Sequence, residues 1–287
     1  MNTIKLLTSV MMLLAAVVSV LAPGKTLAGE FGDGSYWRGV PGSRVESSTR
    51  PGREGASARS DGWTVRVMTT RELERLGDRD WDMSPSFARR LLARLNARDF
   101  DYIDEDIRNG RPIKVPHNFS AFKNWTPLPG YIPEVASVPR FILIAKDIPF
   151  IGWYERGRLV GDSYICIGRQ DNWTSPGVYT VKEKDIDHVS RSYPNAYGEP
   201  APMPWALRIY GLIWIHAGDI VGPRCSHGCI NLPMEPAVRL FEWATPGTPV
   251  VIVDALGDAP TVLARNRSNC SLFASACALP VSNDRRS

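Results

Sequence analysis

Between residues 141 and 253 the apolar residues come in short runs broken by Gly and Pro. This spacing is the strongest constraint on the fold, because runs of roughly four to eight residues make strands and leave little room for helices. Residues 141–145 form an Ile-rich run. Residues 151–154 and 159–167 flank Glu155-Arg156-Gly157-Arg158, the pattern of a hairpin with a glycine turn. Residues 178–181 are β-rich, 206–210 and 212–215 flank Gly211 as a second hairpin, and 248–253 supply a last strand. One helix interrupts the series. Pro236 suits a first helical position, Ala237, Leu240, Phe241 and Ala244 make one apolar stripe, and Gly247 ends it. The expectation is a mainly β fold, a β-sandwich with one helix over residues 138–255.

The rest of the 287-residue chain divides around this region. Lys5 precedes an almost wholly apolar stretch at 6–22, and Thr26-Leu27-Ala28 offers small residues for cleavage. Residues 1–28 therefore read as a secretory signal peptide, with an uncleaved anchor as the alternative. Either way the mature chain lies outside the cytoplasm, and it meets a membrane only if the signal is uncleaved. Residues 29–61, rich in Gly, Ser and Arg, read as a flexible linker. Residues 62–137 predict a small mixed α/β region, with a strand at 63–68 and a helix opened by Ser84 and Pro85 whose apolar face is Phe87, Leu91, Leu92 and Leu95. Pro127, Pro129, Pro133 and Pro139 mark a rigid connector, and residues 256–287 read as a polar, fraying tail. A net charge of +4 suits an anionic envelope surface and is too small to imply a nucleic-acid partner.

The chemistry concentrates in one block. The chain has only four His and five Cys, yet His216, Cys225, His227 and Cys229 fall within residues 214–233. A free thiol is mostly protonated at neutral pH, so a nucleophilic cysteine needs an imidazole and inward-pointing amides. Cys229 is the candidate nucleophile. His216, at the end of a strand and on the face of Leu212 and Trp214, is the candidate base, ahead of His227. Gly228 lets the backbone approach closely, and the amides of His227, Gly228 and Cys229 are expected to form an oxyanion hole. No metal or organic cofactor is expected.

Two other readings compete. Cys225, His227, Cys229 and His216 have the donor atoms of a zinc site, which would make the chain a zinc-stabilised envelope binding protein without catalysis. The odd cysteine count leaves at least one thiol unpaired within a single chain. Cys270 and Cys277 lie close enough in sequence to pair with each other. Cys225 is a candidate for a disulfide near the site, and Cys166, inside an apolar run, reads as a buried hydrophobe.

His216, a nine-residue loop, and Ser226-His227-Gly228-Cys229-Ile230-Asn231 together resemble the signature of the L,D-transpeptidases, the YkuD-type catalytic domain. Tyr154-Glu155-x-Gly157, Thr174-Ser175-Pro176-Gly177-Val178-Tyr179 and Gly247-Thr248-Pro249-Val250 support the resemblance in the same order along the chain. The resemblance implies a YkuD-type β-sandwich acting on peptidoglycan stem peptides in the periplasm or cell envelope. Cys229 would attack the carbonyl of the third stem residue, a diamino acid, expel D-alanine, and pass the acyl group to an amine. The acceptor would be a second stem or an outer-membrane protein; with water instead, the enzyme would be an L,D-carboxypeptidase. His216 would move the protons, held by a backbone carbonyl near Ala217. His227 and Gly228 would shape the oxyanion hole, Ser226 and Asn231 would support the loop or touch substrate, and Tyr210, Trp214, Trp173 and Trp205 are pocket candidates. Two departures stand out: the loop after His216 is short, and Cys225 occupies a position where many relatives carry a small residue. Residues 109–116 faintly resemble the ending of small peptidoglycan-binding modules, so 62–137 is a candidate degenerate wall-binding module.

Overall fold

A computed structural model describes residues 62–195 and 197–268. The signal-peptide and linker readings, and the Cys270 and Cys277 pair, lie outside the described residues.

The N-terminal region is built from β1 (Trp63–Arg66), α1 (Thr70–Arg79), α2 (Pro85–Asn96), α3 (Phe100–Arg108) and β2 (Ile113–Pro116). β1 and β2 pair antiparallel. The Ser84 hydroxyl accepts from the Phe87 amide at 3.2 Å and Pro85 opens α2, so the capping signal reads as expected. Leu91, Leu92 and Leu95 enter a small core with Leu73, Ile103, Ile107, Val115 and Phe122. Helices α1 and α3 are short and strongly charged, which hides them from an apolar-periodicity reading.

The larger region follows as β3 (Arg140–Ala145), β4 (Phe150–Glu155), β5 (Arg158–Tyr164), β6 (Ile167–Gly168), β7 (Gly177–Thr180), β8 (Glu183–Asp185), β9 (Val189–Pro194), β10 (Pro200–Pro202), β11 (Ala206–Tyr210), β12 (Ile213–Ala217), β13 (Arg224–Ser226), β14 (Ile230–Leu232), α4 (Met234–Trp243), β15 (Pro249–Val253) and α5 (Ala259–Ser268). A five-stranded sheet has the order β5-β4-β3-β15-β7, and a four-stranded sheet has the order β14-β12-β11-β8. Ile142, Ile144, Val250 and Ile252 from the first sheet share one core with Leu207, Ile209, Ile215, Ile230 and Leu232 from the second, and α4 adds Ala237 and Leu240. The fold is therefore mainly β, two sheets packed face to face, as expected from the short strand runs. The glycine turn of the first hairpin holds Arg156 and Gly157 at φ +47° and +80°, a pair of left-handed residues that suits a tight β-turn.

Three readings need correction. The helix expected to begin near Pro236 begins two residues before it, at Met234, so the proline sits in the first turn, where its missing N–H leaves no helical bond unmade. Of the tail expected to fray over 256–287, the described part, residues 256–268, instead forms a 3-10 turn and α5, with Leu263 only 1% exposed. The reason lies in β3 and β15, which are apolar on both faces: Phe141, Leu143, Val251 and Val253 point away from the sandwich and need α5 as a cover. Cys166 is buried, but as one half of a disulfide with Cys225, whose Cα lies 5.7 Å away.

Candidate active site

Strand alternation sorts the central block into two faces. In β12, Ile215 and Ala217 point into the sandwich core, which sends Trp214 and His216 to the other face. In β14, Ile230 and Leu232 point into the same core, which sends Asn231 outward, and Cys229 just before it shares that side. The two strands run parallel, with His216 level with Asn231 and Ile215 level with Ile230. Cys229 is thus two residues back from the partner of His216, about 8 Å between Cα atoms by strand spacing. Both residues line one cleft of about 1540 Å³.

His216 is 6% exposed. Its Nδ1 lies 2.8 Å from the Ala217 carbonyl oxygen. A carbonyl can only accept, so Nδ1 carries the proton and Nε2 is the basic nitrogen. Gly218 leaves close room for both side chains, because a Cβ there would stand 3.0 Å from Asn231 Nδ2 and 3.3 Å from His216 Cε1. Burial pushes the His216 imidazole down to about 4; the Ala217 carbonyl opposes this shift and the charge of His188 adds to it.

The turn carrying Cys229 is fixed by its own side chains. Ser226 is buried, its hydroxyl donates to the Cys229 carbonyl at 2.6 Å and accepts from the Gly228 amide at 3.0 Å. Thr174 Oγ1 donates to the Gly228 carbonyl at 2.8 Å and accepts from the Gly168 amide at 2.9 Å. Gly228 has φ +124°, and a Cβ there would meet Trp173 O and Ile213 Cδ1, each at 2.8 Å. The sulfur of Cys229 lies 3.8 Å from the Leu212 carbonyl and accepts from the Trp214 amide. Burial pushes the thiol up, and that amide only partly offsets it.

Two electrostatic expectations are therefore revised. Burial favours the neutral thiol and the neutral imidazole over a thiolate–imidazolium pair. The Gly228 amide is not an open oxyanion donor, because it already donates to Ser226 Oγ at 3.0 Å.

The other candidates separate. Trp214, His227, Ser226 and Asn231 line the cleft with the pair. Asn231 donates from Nδ2 to the Asp219 carbonyl at 3.2 Å, which braces the loop between His216 and Cys229. His227 is exposed, its ring stacked on Tyr193 at 4.0 Å and on Trp173 at 5.5 Å. Tyr210 is occupied elsewhere: it stacks on Tyr179 at 4.2 Å and its hydroxyl accepts from the Ser175 amide at 2.8 Å. Trp205 packs edge-on against Phe241 at the core. The disulfide takes Cys225 out of the four-donor set considered for zinc.

Three contributors escaped the sequence reading. The β9–β10 hairpin puts Tyr193 over His227. His188 stacks on Trp214 at 3.9 Å. Asp99, from the N-terminal region, lines the cleft and accepts from the Ile220 amide at 2.7 Å and the Tyr164 hydroxyl at 3.1 Å. None has a local signature; the scarcity of histidine in the chain was a signal that could have pointed to His188.

Residues 139–252 match the family model of the YkuD, L,D-transpeptidase catalytic domain. No curated protein matches the chain. Among solved structures, an L,D-transpeptidase from Mycobacterium smegmatis is similar at 20% identity and TM-score 0.36, over 40% of this chain and 58% of that one. An L,D-transpeptidase from Stackebrandtia nassauensis is similar at 13% identity and TM-score 0.41, over 67% of this chain and 94% of that one. The catalytic domain of the E. faecium L,D-transpeptidase, acylated by ertapenem, is similar at 27% identity and TM-score 0.34, over 40% of this chain and 97% of that one. The chain thus spans under two thirds of the length of the mycobacterial enzyme.

Proposed function

We propose, from an L,D-transpeptidase catalytic domain at residues 139–252, that this protein is an exported cysteine acyltransferase acting on peptidoglycan stem peptides. The observation that carries the reading is the Ala217 carbonyl on His216 Nδ1, which leaves a basic Nε2 on the strand face that also presents Cys229. As the Cys229 sulfur attacks the carbonyl of the third stem residue, its proton passes to His216 Nε2. The tetrahedral intermediate collapses, the C–N bond breaks, and the leaving D-alanine amine takes the proton back. A thioester remains. An amine acceptor then attacks it, the C–S bond breaks, and the sulfur is reprotonated. A general base acting during attack suits two groups that start neutral.

Amides of His227 and Cys229 are the donors proposed for the oxyanion. Export rests on residues 1–28, and among the described residues no helix is long and apolar enough to cross a membrane.

The test is mass spectrometry of the protein after incubation with disaccharide tetrapeptides. The expected result is an acyl adduct on Cys229 and release of D-alanine, both lost in Cys229→Ala with an unchanged far-UV spectrum. A Cys229→Ala protein that still releases D-alanine would rule the mechanism out. His216→Ala is expected to cost more in acylation rate than His227→Gln, and a reversed order would reassign the base.

A further inference from the structure

The reaction proposed above has a proton to place that His216 does not account for. Amine acceptors in water are ammonium ions. Transfer then reads thioester plus ammonium going to amide plus thiol plus one free proton. His216 can carry only one proton at a time, the one that ends on sulfur. The nitrogen must also lose a proton before it has a lone pair to attack with. Hydrolysis has no such requirement, since water attacks with a lone pair it already holds.

A second basic nitrogen stands in the cleft. His188 Nδ1 lies 2.9 Å from Asp185 Oδ2. A carboxylate only accepts, so Nδ1 carries the proton and Nε2 of the neutral ring is the base, the same tautomer logic that fixes His216. The ring lies face-on against Trp214 at 3.9 Å, and Trp214 in turn forms a small buried cluster with Met203 and Ala206 against which Cys229 packs. Trp214 and His216 share one face of β12. The imidazole and Cys229 therefore pack against one and the same cluster, that of Trp214. His188 is also held firmly. The Met203 amide donates to its carbonyl at 2.7 Å, the Trp205 amide donates to Ile186 O at 2.9 Å, and Asp185 belongs to β8, paired with β11. The side chain lines the same cleft as Cys229.

We infer that His188, oriented by Asp185, is the base that takes the first proton from an ammonium acceptor during acyl transfer. The ammonium gives that proton to His188 Nε2. The neutral amine attacks the thioester carbonyl, the C–N bond forms and the C–S bond breaks. The second nitrogen proton passes through His216 to the Cys229 sulfur, and protonated His188 releases its own to solvent. Protons and charge balance with no further reactant. The assignment rests on Cys229 forming a thioester, and the experiment separates the two.

The experiment uses His188→Phe, which keeps a flat ring against Trp214 and removes the nitrogen. Acyl-enzyme is formed with a tetrapeptide donor and chased with a diamino-acid stem peptide as acceptor, and the ratio of transfer to hydrolysis is read by mass spectrometry. The expected result is a ratio lowered about a hundredfold, the low end of what a positioned base supplies. Hydroxylamine, which is already neutral at neutral pH, should restore transfer in the variant. Asp185→Asn should lower the ratio less. An unchanged ratio in His188→Phe, a fall shared equally by transfer and hydrolysis, or a defect that hydroxylamine does not relieve would each overturn the assignment. Failure of the unsubstituted protein to form acyl-enzyme would instead sink the underlying reading of Cys229.

Discussion

At the residue scale, the two groups proposed to react show how one environment sets two charges. The same burial pushes the Cys229 thiol up and the His216 imidazole down to about 4. Alkylation of Cys229 by iodoacetamide is therefore expected to climb steadily through and above pH 9, with no plateau at low pH. A plateau below neutrality would show a thiolate–imidazolium pair. The acid limb of stem-peptide acylation should fall near pH 4 and not near 6.5, because His216 stays neutral down to that range. The same shift bears on stability. The unfolded chain protonates His216 below 6.5, while the folded chain does so only near 4, so stability is complete above the first value and declines toward the second. The span corresponds to roughly 3 kcal/mol. In urea titrations at several pH values, His216→Leu should flatten this slope; an unaltered slope would assign it to other groups. Cys229 and His216 were legible as candidates in their spacing along the chain. Their charges were not, because desolvation depends on what packs around them, and nothing in residues 214–233 states that.

At the element scale, short strands were legible because period-two alternation and glycine turns are local properties. The corrections came where an element's role depends on a distant surface. α5 has a weak apolar stripe, yet it is needed because β3 and β15 are apolar on both faces. Leu263→Asp, which places a charge in that layer, should destabilise the protein by several kcal/mol in urea titrations, at the high end for a point substitution. A change below 1 kcal/mol would mean that α5 is dispensable. The Cys166–Cys225 bridge ties β6 to β13, the strand that leads into Ser226, and it closes a loop of 59 residues in sequence. Cys225→Ser should lower stability by about 2–4 kcal/mol. The pairing was open at the level of sequence, since five cysteines allow several partners and spacing does not choose among them.

At the scale of the whole molecule, the N-terminal region does more than precede the sandwich. Arg94 of α2 pairs with Asp162 of β5, Arg98 reaches the Val221 carbonyl, and Asp99 accepts from the Ile220 amide. The first contact ties α2 to β5, and the other two hold the loop between His216 and Cys229 from the N-terminal region. Asp99→Ala leaves the Ile220 amide and the Tyr164 hydroxyl without their acceptor, so a loss of about 1–3 kcal/mol is expected. Faster hydrogen exchange at Ile220, with β3 unaffected, would localise the effect to the loop; uniform protection would show that Asp99 is not what holds it. By itself the sequence determined the strand content, the glycine turns and the candidate pair Cys229 and His216, because each depends on residue types a few positions apart. Only the tertiary structure decided which cysteines join, which amide is already spent on Ser226, and that His188, Tyr193 and Asp99 reach the cleft. Those outcomes depend on approaches between residues far apart in the chain, set by how the sheets, the hairpin and the helices pack.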